Sequence, residues 1–216
     1  MIKVEHIEVS NIKNALRGMR NPMNSWHQAD SYVDEKGNFI IGKKDMNLCE
    51  RLIRAGSDHR KFMRQIFVCM DITAPLYWWK EFDTYKVSTV ANSTSTMHKI
   101  HSKEFSIDDF SHDHMTEEAK EKLKIIISFL EETRLKFLET KETQYWYDMI
   151  QLLPSSYNQT RTVTLNFETM INIYHNRQSH KLKEWRDLCH IIEKEVQYSE
   201  LITYLDNLTE TSCDRK

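Results

Sequence analysis

Apolar and polar positions change period several times along the chain. Residues 2–9, IKVEHIEV, alternate as a short strand does. Asn11 is placed to cap a helix through Met19, which the turn signal Arg20-Asn21-Pro22 stops. Residues 23–39, MNSWHQADSYVDEKGNF, are polar and turn-rich and read as a surface loop or linker. Asp45 opens a second helix, with Met46, Cys49, Leu52 and Ile53 on one face and Gly56 at its stop. In SDHRKFMRQIFVCMDITAP, residues 66–70 are apolar on both faces until Asp71, which predicts a central strand broken by Pro75. Residues 76–87, LYWWKEFDTYKV, fit a helix, and the hydroxyl-rich run STVANSTSTMH after it fits a hydrogen-bonded loop. Residues 115–139 carry the clearest helical stripe: Leu123, Ile126, Ile127, Leu130, Leu135 and Leu138, behind an acidic start at Glu117 and Glu118. Further helices are expected at roughly 142–151 and from Lys181 to Glu195, then a short helix and a frayed tail. Helix dominates, with three to five strands, so the expected fold class is α+β, helices packed on a small antiparallel or mixed sheet.

The most informative stretch is Leu152 to Arg186. A Pro-marked turn leads into a Thr/Val strand, and the period switches to helical at Asn166. Phe167, Met170, Ile171 and Tyr174 then form one apolar stripe, and Asn166 sits where an N-cap belongs. At about 100° per residue, Asn166 and Arg177 fall about 20° apart around the axis. An amide and a guanidinium thus share one flank of a half-buried helix, an arrangement suited to an anionic ligand.

Totals narrow the field. The 216 residues suit a single domain, with a helical segment at about 112–140. Thirty Lys and Arg against 32 Asp and Glu leave a formal charge of −2, which does not favour nucleic acid as a partner. No apolar run approaches the roughly 20 residues that span a bilayer, and the first residues lack a signal-peptide core, so no membrane partner and a cytoplasmic location are expected. Cys49, Cys69, Cys189 and Cys213 have no metal-site spacing and read as reduced thiols.

Candidate chemistry is sparse. His59-Arg60 with Arg64 reads most simply as a solvated basic turn, and Trp78-Trp79 as core. His175 and His180 lack the further ligands that zinc needs, and no metal is expected. No phosphate-binding Gly-rich loop or nucleophile elbow is present.

Two ordered blocks resemble a known family. The run LLP, a Thr-rich strand, Asn166 and Arg177, then His180, Glu184 and Arg186 is similar to the C-terminal half of flavin-dependent thymidylate synthases. The earlier block also fits: a helix ending at Gly56, His59, a strand, Ala74-Pro75, an aromatic helix and a Ser-rich loop. Together they cover roughly residues 44–98 and 150–195.

The resemblance implies an α+β homotetramer binding FAD and dUMP at subunit interfaces. Such an enzyme takes a methylene from methylenetetrahydrofolate and reduces it with flavin hydride drawn from NADPH. By position, Arg177 is the arginine that binds and polarises the pyrimidine, Ser95 the serine at the nucleotide phosphate, and Asn166 and Asn172 the asparagines at flavin and nucleotide. His59 and His180 resemble flavin-contacting histidines. Where the family carries Arg-His-Arg, this chain has Tyr85-Lys86-Val87, so Lys86 alone keeps a cation. Ile150, Ser93 and Met97 also depart from the family's pattern. Arg161, Lys86, Lys99 and Arg20 are the candidate replacements. The leading expectation is a divergent flavin-dependent thymidylate synthase or a relative acting at pyrimidine C5. The alternatives are a catalytically silent nucleotide- or flavin-binding relative and a structural protein using its Trp/Tyr helix as an interaction surface.

Overall fold

The computed structural model of the protein describes residues 2–213, and side chains as far as residue 208; Cys213 and the expected frayed tail lie outside the described side chains. Among the described residues, eight α-helices accompany six strands. Strands β1 (Lys3–Ser10), β4 (Phe67–Pro75), β6 (Asn158–Asn166) and β5 (Val90–Ser93) form one sheet in the order β1-β4-β6-β5. Strands β2 (Tyr32–Val33) and β3 (Phe39–Ile40) form a small antiparallel hairpin inside the stretch expected to be loop. The interior place of β4 follows from its residues: Val68, Met70, Ile72 and Ala74 are buried on one face while Cys69, Asp71 and Thr73 are half-buried on the other. Strand β5 lies in the Ser/Thr run read as loop. Its four residues are all exposed, so no apolar alternation announced it.

The chain forms two compact units. One comprises Asp71–Tyr85 and Ala91–Thr162 with the start of β1. Here α4 (Glu117–Thr140) packs on α5 (Thr143–Gln151), and Leu123, Ile127, Leu130 and Met149 meet Phe105 and Phe110 in its core. Thr116 caps α4 by accepting from the Ala119 N–H at 3.3 Å. Three members of the predicted stripe are not buried: Ile126, Leu135 and Leu138 are exposed, because the described residues cover α4 on one side only. Helix α3 (Leu76–Phe82) is shorter than expected. The Thr84 and Tyr85 N–H groups turn back to the Glu81 and Phe82 carbonyls, and the Thr84 hydroxyl also takes the Glu81 carbonyl at 2.7 Å. Trp78 and Trp79 are core, packed edge-to-face at 4.9 Å.

The second unit comprises His6–Met70, Lys86–Val90 and the chain from Val163. Around α6 (Phe167–Arg177) pack α7 (Lys183–Glu195) and α8 (Glu200–Cys213), with α1 (Ile12–Met19) and α2 (Lys43–Arg54) in the same unit. Two expected caps are built differently. Asn11 precedes α1 but does not cap it. Its side-chain N–H donates to the Gln65 carbonyl at 2.8 Å instead. Helix α2 starts two residues before Asp45, and its N-terminal Lys44 and Asp45 N–H groups are taken by the Asp30 carboxylate at 2.8 and 3.0 Å. Gly42 is required there, since a side chain would run into Asp30.

Asp45 is instead half of a buried ion pair. Arg20 donates to Asp45 Oδ1 through Nε at 2.7 Å and Nη2 at 2.6 Å, with both side chains only 3% exposed. The second oxygen accepts from the Ser31 hydroxyl at 2.6 Å and from the Ser31 and Asp30 N–H groups. Burial pushes the Asp45 carboxyl up, yet the Ser31 hydroxyl, the Arg20 guanidinium and the two N–H groups outweigh it and hold it below the ordinary value of 3.8. A depressed folded-state value contributes stability above the unfolded one, and that contribution is lost as pH falls through the folded one. Urea unfolding should therefore show stability declining below about pH 4. In Asp45→Asn the decline should be shallower, from a lower neutral-pH starting point. An equally steep decline in both chains would remove Asp45 from the acid response.

Candidate functional site

Helix α6 holds the principal side chains. Asn166 ends β6 and begins α6 as its sequence position predicts: Oδ1 accepts from the Thr169 N–H at 2.9 Å. Its side-chain N–H donates to the Arg64 carbonyl at 3.3 Å, and the residue is buried. The fold thus uses both ends of this amide. What Asn166 can offer a ligand is the second N–H of Nδ2 and the remaining lone pair of Oδ1.

The first turn of α6 is clamped by a pair that no local pattern announces. Arg60 Nε and Nη2 each lie 2.9 Å from an oxygen of Glu168, a fork-to-fork contact between largely buried groups. Glu168 also sits where the helix dipole favours a carboxylate. Of the supposed solvated turn, His59 is exposed and Arg64 donates to the Ser57 carbonyl, but Arg60 is buried. A solvated reading fails for Arg60 because its partner lies 108 positions away. The Thr169 hydroxyl donates to the Val87 carbonyl at 2.9 Å, fastening the segment that carries exposed Lys86 to the same turn.

At the C-terminal end, the Arg177 guanidinium lies over the ring of Trp185 from α7, 4.5 Å from its centroid. Trp185 is fully buried, so the platform is rigid. Stacking occupies one face of the guanidinium, whose N–H donors lie in its own plane. His180 follows, its N–H donating to the Arg177 carbonyl at 3.0 Å and its ring 6.3 Å from Trp185. The Leu182 N–H donates to His180 Nδ1 at 3.1 Å, which puts the proton of the neutral ring on Nε2. Arg186 donates to the His180 and Lys181 carbonyls and holds this turn. The structure brings Arg177, His180 and Trp185 together. Trp185 is the member that sequence reading missed; its only signal was the apolar spacing with Leu188, Cys189 and Ile192 along α7. Asn172 is exposed and faces away from Arg177 around the helix.

His59 comes from another part of the second unit. It follows Gly56, whose φ of 100° needs a glycine, and lines a cleft of about 680 Å³. The floor is apolar, from Met19, Leu48, Leu52 and Phe62, and the rim carries Asn21, Asp58 and Gln65. Its volume suits a small-molecule ligand.

Ser95 and Arg161 belong to the first unit. Ser95 Oγ accepts from the His98 N–H at 2.9 Å in a tight turn. Arg161 is engaged on three sides: Asp83 at 2.7 Å, Gln159 Oε1 at 3.0 Å, and the Trp79 ring 4.2 Å from its carbon. Of the candidate replacement cations, Arg20 is locked against Asp45, while Lys86 and Lys99 are exposed. Burial pushes the Cys49 and Cys189 thiols up to about 12, so neither supplies a thiolate at neutral pH. Among the described residues, no three His, Cys, Asp or Glu side chains gather as a metal site. No helix among them is long and apolar enough to cross a membrane.

No protein-family model and no curated protein matches the sequence. Solved structures do. Thymidylate synthase X of Helicobacter pylori with FAD and dUMP superposes with a TM-score of 0.66 at 17% identity, covering 95% of this chain and 98% of that one. A second structure, of the flavin-dependent thymidylate synthase of Helicobacter pylori complexed with FAD and dUMP, gives 0.65 at 17% identity, covering 94% and 98%. A UMP/dUMP methylase of Streptomyces cacaoi bound with 5-Br dUMP gives 0.64 at 13% identity, covering 95% of each chain. The chain therefore has the α+β fold of the flavin-dependent thymidylate synthases over nearly its whole length.

Proposed function

We propose that the chain binds FAD and dUMP and acts as a flavin-dependent thymidylate synthase, forming dTMP with methylenetetrahydrofolate as carbon donor and NADPH as reductant. The observation that carries this reading is Arg177 stacked on Trp185 at the end of α6. The neighbours' FAD and dUMP support it, as does the match of Asn166, Arg177 and His180 to the family's order. In this reading the Arg177 N–H edge grips a pyrimidine carbonyl and stabilises the charge that develops on the ring. His180 follows Arg177 in the chain's order, with Nδ1 held by the Leu182 N–H. The family resemblance assigns Ser95, with Arg161 as a replacement cation, to the nucleotide phosphate, and Lys86 and Asn172 to the flavin and nucleotide. The cleft at His59 fits a flavin ring: its floor is apolar, its rim carries amides, and its volume is in the small-molecule range. Bound FAD would supply the hydride; the chain's own residues bind, orient and exclude water. Assembly as a homotetramer and a cytoplasmic setting complete the proposal.

A second reading has its own observation. The family's Arg-His-Arg is Tyr85-Lys86-Val87 here, Arg20 is locked away, and Arg161 is already engaged. These losses favour a relative that binds nucleotide or flavin without turnover. An assay for dTMP formation with dUMP, methylenetetrahydrofolate, NADPH and FAD separates the two. Turnover by the native chain, absent in Arg177→Ala, supports the enzyme. Ligand uptake with no dTMP from the native chain supports the silent relative.

A further inference from the structure

Helix α4 has two faces, and the described residues of the chain cover only one. On the other, Glu118, Lys122, Ile125, Phe129, Glu132 and Lys136 recur at alternating spacings of four and three, the period of a coiled-coil seam, with two apolar residues at the centre and charges at the four outer positions. All six are exposed, Ile125 by 63% and Phe129 by 45%, with Ile126 widening the apolar centre. The stripe is about 27 Å long at 1.5 Å per residue.

Its order is self-complementary. Around the level of Ile127, Ile125 and Phe129 lie two positions either side, Lys122 and Glu132 five, and Glu118 and Lys136 nine. A two-fold axis through that level sets each residue against its counterpart in the opposite half of an antiparallel copy. Ile125 then meets Phe129 twice, and every Lys of the stripe meets a Glu. Other charges of α4 pair within the helix, Lys120 with Glu117, Lys124 with Glu121 and Arg134 with Glu131. Among the described residues, Glu118, Lys122 and Lys136 enter no such pair. We infer that this face of α4 is an isologous interface on which a second copy of the chain docks antiparallel, centred on Ile127. The inference rests on the stripe alone and not on the nucleotide chemistry; it supplies one contact for the proposed homo-oligomer.

The test uses two variants of the full chain. Lys122→Glu with Lys136→Glu makes the four charges acidic; Glu118→Lys with Glu132→Lys makes them basic. Each alone juxtaposes like charges, which should weaken the self-association step seen by sedimentation velocity by tenfold or more. If further interfaces exist, the assembly should halve rather than dissolve into single chains. Mixing the two variants should restore the native step, which a folding defect would not allow, and circular dichroism checks that each is folded. A native chain that stays monomeric, variants that assemble as the native chain does, or a mixture that fails to recover would each overturn the interface.

Discussion

Arg20→Met should lower the free energy of unfolding by about 3–5 kcal/mol, the range for removing one partner of a buried ion pair. Asp45 would keep its bonds to Ser31 and Asp30 but lose the Arg20 guanidinium, in a place almost closed to solvent. The guanidinium also donates to the Ser25 and Gln28 carbonyls at 3.3 and 3.2 Å, so the loop of residues 21–28 loses its anchor as well. Urea unfolding reads the effect as a lowered midpoint at unchanged slope. Added salt should change it little, since buried pairs are poorly screened. A midpoint within 1 kcal/mol of the native chain would show that water reaches the pair.

Arg177→Ala should weaken dUMP binding and turnover by about a hundredfold or more, the cost of removing the charged donor that the proposed function sets against developing charge. Arg177→Lys should rescue little, because an ammonium is a point charge and cannot both stack on Trp185 and present a planar edge. If the arginine acts mainly on the transition state, kcat falls with kcat/KM; if it only binds nucleotide, KM rises alone. Stability should change far less than in Arg20→Met, since Arg177 is half-exposed. Full activity in Arg177→Ala would remove it from the site.

Much of this was legible because it is local. The stripe from Phe167 to Tyr174, the cap at Asn166 and the break at Pro75 are written within a few neighbouring positions. The burial of Trp78 and Trp79 follows from their size and their place on an amphipathic turn. What stayed hidden depends on distance in sequence. Arg60 and Arg20 look like surface cations until Glu168 and Asp45 are brought to them. Asp30 caps a helix that begins thirteen positions later. Along α4, periodicity marks Ile126, Leu135 and Leu138 as core, but periodicity reports apolar spacing and not whether a partner lies on that side. The site divides in the same way. The order Asn166, Arg177, His180 is readable in the chain, whereas the Trp185 platform and the engagement of Arg161 exist only once α7 and Asp83 are in place.

Binding of FAD and dUMP is read most directly in the visible spectrum of the purified chain after incubation with FAD and desalting, followed by titration with dUMP. The native chain should retain a yellow flavin band that dUMP perturbs, and Arg177→Ala should retain one that dUMP leaves unchanged. A colourless protein, or a flavin band indifferent to dUMP in the native chain, would contradict it.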